Sequence, residues 1–187
     1  MNPLWLATRA TGEVSLVLLT AVMILGIATT KGWANSRWPE SVVTLLHRNV
    51  SLLSVVFLVL HIGTTVVDGY VPISWVDVLI PWQTSYKTTW VGLGTIALDL
   101  ILAIIITSLL RRRIAPRWWR AVHWSAYVCW AVAIVHSLGT GTDQLLTRLV
   151  AGAMAACVVA AVAARILTPH RQDDPVVSVN TRKEMRR

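Results

Sequence analysis

The chain has 187 residues, of which 55% are hydrophobic and 14% charged, with a formal net charge of +8 and a mean hydropathy of +0.61. An average soluble domain carries about 25% charged residues, so this composition excludes an ordinary soluble enzyme. The excess basic residues sit in short clusters between apolar runs, where lipid headgroups account for them and nucleic-acid binding does not.

Five apolar runs follow one another, at residues 14–30, 43–67, 90–110, 118–138 and 145–167. Each approaches the ~20 residues that a helix needs to cross ~30 Å of hydrocarbon. The runs are rich in Val, Ile and Thr, which favour strands in water, but their length and lack of alternation decide for helix. Backbone groups in lipid must be satisfied within the segment, so the expected fold is an all-α integral membrane protein, a bundle of five transmembrane helices. Between the second and third spans, residues 68–89 carry Pro72, Pro81, Trp75 and Trp82 and read as an ordered loop on the membrane surface. The expected organisation is an N-terminal segment with the first span (1–41), a core of the second to fourth spans (42–143), a fifth span (144–168) and a flexible polar tail (169–187).

Orientation follows from the basic residues. Lys31, Arg37 and Arg48 flank the first loop, Arg111, Arg112, Arg113, Arg117 and Arg120 fill the third, and six more, from Arg165 on, lie at the end of the fifth span or after it. With five spans, 14 of the 17 lysines and arginines fall on one side, leaving Arg9, Lys87 and Arg148 opposite. The positive-inside rule then places the N-terminus outside and the C-terminus in the cytoplasm, as for a multi-pass protein of the plasma membrane. Trp33, Trp38, Trp118 and Trp119 mark the inner interface, and Trp75, Trp82 and Trp90 the outer. A cleaved signal peptide is the rival reading of the first span, but its basic start is missing and its small-residue site, near Ala34 to Ser36, is weak.

Four of the five histidines fall within or at the ends of two of these spans: His47 and His61 on the second, His123 and His136 on the fourth. Polar side chains at membrane depth are costly and usually functional. A lone histidine there is as readily a structural hydrogen-bonding residue, but this arrangement is paired. Both spans run from inside to outside, so His47 and His123 share the inner depth while His61 and His136 share the outer. Spacings of 14 and 13 residues at 1.5 Å rise set the two levels about 20 Å apart. Two histidines facing each other at each level can serve as axial ligands to two stacked haem irons between the second and fourth spans. Cys129 and Cys157 lie inside apolar runs and no Cys-x-x-Cys-His motif is present, so these would be two non-covalent b-type haems. One detail departs from an ideal helix: 14 steps bring His61 within roughly 40° of His47, whereas 13 steps leave His136 roughly 140° from His123. Either the fourth span carries a π-type irregularity or tilt, or the two haems approach it from different sides.

Arg48, beside His47, and Arg120, three residues before His123, are candidate partners for the inner propionates, with topological anchoring as the plain alternative. Tyr86 and Lys87 are the polar candidates at the outer level, where the surface loop is placed to roof the site. Gly63, Gly92, Gly94 and Gly139 admit either a porphyrin or close helix packing. Asp99, near the middle of the third span, would hydrogen-bond a ligand histidine, relay protons or stay neutral beside a local partner; a supporting role is favoured. His170 is assigned nothing.

The segment from His47 to Asp143 resembles the ferric reductase-like transmembrane domain, the haem-bearing core of ferric reductases, NADPH oxidases and the haem subunit of the bacterial methionine sulfoxide reductase. The residues that carry the resemblance are the two histidine pairs, the run TSLLRRRIAPRWWRAVHWSAY from Thr107 to Tyr127, and the stretches WVGLGT (Trp90 to Thr95) and HSLGTGTD (His136 to Asp143). It implies that His47 with His123, and His61 with His136, are the haem pairs. It departs from the larger reductases because the 20 residues after Leu167 are too few for a flavin- or NADPH-binding domain. The electron donor is therefore expected to be a separate flavoprotein or a quinol. Two other readings stay open at this level: a quinol-linked diheme cytochrome b, and a transporter whose intramembrane histidines bind metal or protons.

Overall fold

In the computed structural model, residues 3–31, 39–69, 71–141 and 144–167 are described. The tail after residue 167, most of the first loop with Arg37, Trp33 and Trp38, and Asp143 lie outside the described residues. Six helices follow in order: α1 (Pro3–Lys31), α2 (Glu40–Val67), α3 (Trp75–Leu79), α4 (Thr88–Leu109), α5 (Pro116–Thr140) and α6 (Gln144–Leu167). All but α3 are long and apolar enough to cross a membrane.

The helix limits show what hydropathy overlooks. α1 starts eleven residues before the apolar run at Val14, through a stretch containing Arg9 and Glu13. These charges pair one turn apart at 3.7 Å, and the Arg9 guanidinium lies 5.1 Å from the centre of the Trp5 ring, so the helix continues past the apolar edge with its charges compensated. α5 begins on Pro116, which suits a first turn because its missing N–H would have had no helical partner there. The helix is α-helical throughout, with no π turn between His123 and His136.

Packing divides the bundle into two hairpins. α1 packs along α2, and α4 packs along α5; α6 rests on α1 and α5. The α6 stripe Ala151, Met154, Val158 and Ala161 is buried, and Ala151 and Met154 meet Leu16 and Ile134 in the core cluster. The Trp130 indole N–H donates to Thr20 Oγ1 at 3.0 Å, tying α5 to α1. α2 has no comparable packing against α4 or α5, so the two histidine-bearing helices face each other across a gap. Leu52, Val56 and Val59 on α2 are more than half exposed, as expected of side chains solvated by lipid.

The segment after α2 is ordered by its own polar groups. Ser74 and Asp77 form a capping box around α3, with the Ser74 N–H and Oγ both donating to Asp77 Oδ2 at 2.7 Å. Thr95 of α4 donates to the Asp77 carbonyl at 2.9 Å, and Thr84 to the Pro72 carbonyl at 3.2 Å. Trp82, in the left-handed region at φ 62°, lays its indole against Gly92, where a Cβ would stand 2.8 Å from the ring.

Candidate functional site

The four intramembrane histidines lie at two levels. At one, the ring centroids of His47 and His123 are 6.3 Å apart with planes inclined at 64°. Two imidazoles bound on opposite sides of one metal, with metal–nitrogen distances near 2.0 Å, would hold their centroids about 6 Å apart. At the other level, His61 and His136 both line a cavity of about 270 Å³ between α1, α2, α4, α5 and the α3 segment. The parallel run of α2 and α5 that this pairing requires is the one present. The 13-residue spacing is absorbed without a helix irregularity: His136 leans on α4, whereas His123 points across to α2.

Three of the four imidazoles are seated in one recurring way. His61 Nδ1 lies 2.8 Å from the Thr8 carbonyl, His47 Nδ1 lies 3.2 Å from that of Val22, and His136 Nδ1 lies 2.7 Å from that of Trp90. Four residues beyond each carbonyl stands a glycine: Gly12, Gly26 and Gly94. A Cβ at these positions would come within 2.8 Å of His61, 3.4 Å of His47 and 2.6 Å of His136. The glycine leaves room for the ring to lie flat on the neighbouring helix and reach a carbonyl that already accepts the glycine's own helical N–H. A carbonyl only accepts, so each Nδ1 carries the proton and each Nε2 presents its lone pair, the tautomer a metal ligand needs.

His123 is the exception. Its Nδ1 is buried with no hydrogen-bond partner among the described residues, and its ring is stacked on Trp119 at 5.0 Å and 22°. Trp119 in turn lies 5.7 Å from the Arg111 guanidinium. At the register where α4 would supply a fourth seat, thirteen residues past Gly94, stands Thr107, whose hydroxyl is committed to the Ala103 carbonyl at 2.7 Å.

The other sequence candidates are distributed as follows. Arg48 and Arg120 are exposed. Tyr86 lines the outer cavity, as does Arg9, but the Lys87 ammonium turns away to the last carbonyls of α5, at 3.1 Å from Gly139 and 3.4 Å from Thr140. Asp99 is exposed at the midpoint of α4 and supports none of the histidines by a hydrogen bond; its helical phase turns it away from α5. Gly94 serves histidine packing, Gly92 and Gly139 accommodate the Trp82 and Trp90 indoles, and Gly63 has no atom within 4 Å of a would-be Cβ. Sequence reading missed the contribution of α1. Its signal was present: Gly12 and Gly26 are 14 residues apart, the spacing of His47 and His61 on the antiparallel helix.

Among the described residues no three His, Cys, Asp or Glu side chains gather to hold a metal ion. A bare ion at either level would have two protein ligands where a structural site supplies four; a porphyrin iron, with four ring nitrogens of its own, needs two axial ligands. Polar atoms without a hydrogen-bond partner among the described residues lie beside both levels, Thr8 Oγ1 at the outer and Trp119 Nε1 at the inner, positioned for a group with its own acceptors. The donor set therefore fits haem.

Searches of curated proteins and of solved structures found no match to the chain. The family model described as "Ferric reductase like transmembrane component" matches residues 11–135, two-thirds of the sequence, from the glycine-bearing part of α1 through most of α5. With that match over a five-span helical bundle, the chain belongs to the ferric reductase-like transmembrane family.

Proposed function

We propose that the protein is the membrane electron-transfer subunit of a ferric reductase-like oxidoreductase, binding two b-type haems, one between His47 and His123 and one between His61 and His136. Family membership supports a membrane oxidoreductase role; the observation that carries the finer reading is the placing of imidazoles at two levels, with Nε2 of His47, His61 and His136 left free for iron. Held by two of these histidines each, such haems would supply one-electron relay rather than bond chemistry.

The chain's own residues do the rest. The carbonyls of Thr8, Val22 and Trp90 fix ring orientation and tautomer. The α3 segment, held by Ser74, Asp77 and Thr95, lines one side of the outer cavity, and Arg9 and Tyr86 offer polar contacts to an anionic propionate there. Arg48, Arg120 and the Trp119 indole do so at the inner level, the end that carries Arg111, Arg112 and Arg113. That concentration of positive charge supports a cytoplasmic C-terminus and an outer N-terminus in the plasma membrane. A separate flavoprotein or quinol is the proposed electron donor.

Haem stoichiometry and the spectra of single alanine variants test the reading. Two haems per chain are expected, His47→Ala and His123→Ala losing the same one, and His61→Ala and His136→Ala the other. Colourless protein from haem-replete cells would sink it, as would His47→Ala and His136→Ala behaving as partners.

A further inference from the structure

We propose that the four axial histidines are held unequally, three locked by a glycine seat and a carbonyl tie and His123 held by a stack on Trp119, so that the inner haem is the more loosely bound of the two and His123 is the ligand that detaches. The inference rests on the proposed haem pairing and adds an order of strength to it.

The tie does three things for a ligand imidazole. It fixes the tautomer, it stops rotation about the Cβ–Cγ bond, and it raises the donor strength of Nε2. His61 and His136 both have it, at 2.8 Å and 2.7 Å, so the outer pair is locked on both sides. The inner pair is locked on one side only, by the longer 3.2 Å contact of His47. On the other side His123 Nδ1 is buried without a partner among the described residues, so keeping the proton there, as Nε2 ligation demands, leaves a desolvated donor that none of them pairs. Stacking on Trp119 restrains the ring plane but does not choose between its two tautomers. The cause is local to the sequence: α1 carries two glycines in register with the two histidines of α2, whereas α4 carries one, with Thr107 near the second position. Losing such an outer partner typically weakens a metal site 10–100-fold.

The test is haem release from the full-length, detergent-solubilised protein to an excess of an apo-globin scavenger, followed by absorbance. Two phases of equal amplitude are expected, with rates about 10–100-fold apart. Gly94→Ala, which drives a methyl into His136, should quicken the slow phase and leave the fast phase unchanged; Gly12→Ala, acting on His61, is the second variant should the first not fold. Trp119→Ala should quicken the fast phase alone. General loosening of the bundle would quicken both phases, so the selectivity separates positioning from stability. A single phase in the unmodified protein, or a Gly94→Ala effect on the fast phase, overturns the proposal while leaving the haem pairing intact; protein that carries no haem overturns both.

Discussion

Replacing Gly12 by alanine tests the way the histidines are seated. The added Cβ would stand 2.8 Å from His61 Nδ1 and 2.9 Å from Cε1, so the ring must retreat by roughly 0.6 Å to reach an ordinary contact at 3.4 Å. Gly12 and Thr8 lie on the same face of α1, and retreat from one lengthens the bond to the other. The Nδ1 to Thr8 carbonyl distance goes from 2.8 Å to about 3.4 Å, beyond the usual 2.7–3.2 Å range. The carbonyl keeps its helical partner, so the loss falls on the imidazole N–H, at about 1–3 kcal/mol for a buried donor left unpaired. At 1.4 kcal/mol per tenfold that is about a fivefold to 150-fold weaker outer haem site, overlapping the 10–100-fold typical of lost supporting bonds. Haem titration of the apoprotein in detergent, read at the Soret band, measures it. Gly26→Ala, at 3.4 Å from His47, should cost much less, and Gly63→Ala, with nothing within 4 Å, should cost nothing. If Gly12→Ala bound haem as tightly as Gly63→Ala, the glycine seat would not be what holds His61.

A reporter fused after Arg187 should be active only in the cytoplasm; activity outside would invert the orientation drawn from the basic residues. Lys87→Met should lower thermal stability in detergent by about 0.3–1 kcal/mol, the usual worth of a cation at a helix C-terminus, without changing haem content. Asp99→Leu should leave haem content and spectra unchanged, since the carboxylate is exposed and clear of the histidines. The Ser74 N–H and hydroxyl hold the Asp77 carboxyl below the ordinary aspartate value, which is about 3.9. Its contribution to the α3 segment is therefore present above that value and lost as pH falls through the lowered one; limited proteolysis between Asp68 and Thr89 should rise in acid, and Asp77→Asn should remove that dependence. Protein in vesicles should stay oxidised with NADPH alone and become reduced when a flavoprotein or quinol donor is added; rapid reduction by NADPH without a partner would refute the need for a separate donor.

The sequence by itself determined the number of spans and the two levels of histidine. Both are properties of one dimension: an apolar run either reaches across hydrocarbon or does not, and a helix converts residue spacing into depth at a fixed rise. Helix ends were less legible, because hydropathy stops at Val14 while α1 runs on through Arg9 and Glu13, whose mutual pairing and contact with Trp5 no apolar count registers. What only the tertiary structure decided was which neighbour each side chain meets. Lys87 looked available to the outer site and instead binds the end of α5; Asp99 looked like a supporting group and faces outward, because its helical phase sets it on the side of α4 away from α5. The α1 helix, which carries no histidine, supplies two of the three carbonyls that orient the imidazoles. Those bonds join residues up to 53 positions apart and depend on the rotation of one helix against another. Rotation is set by packing among all the helices together and is written in no single segment of the chain.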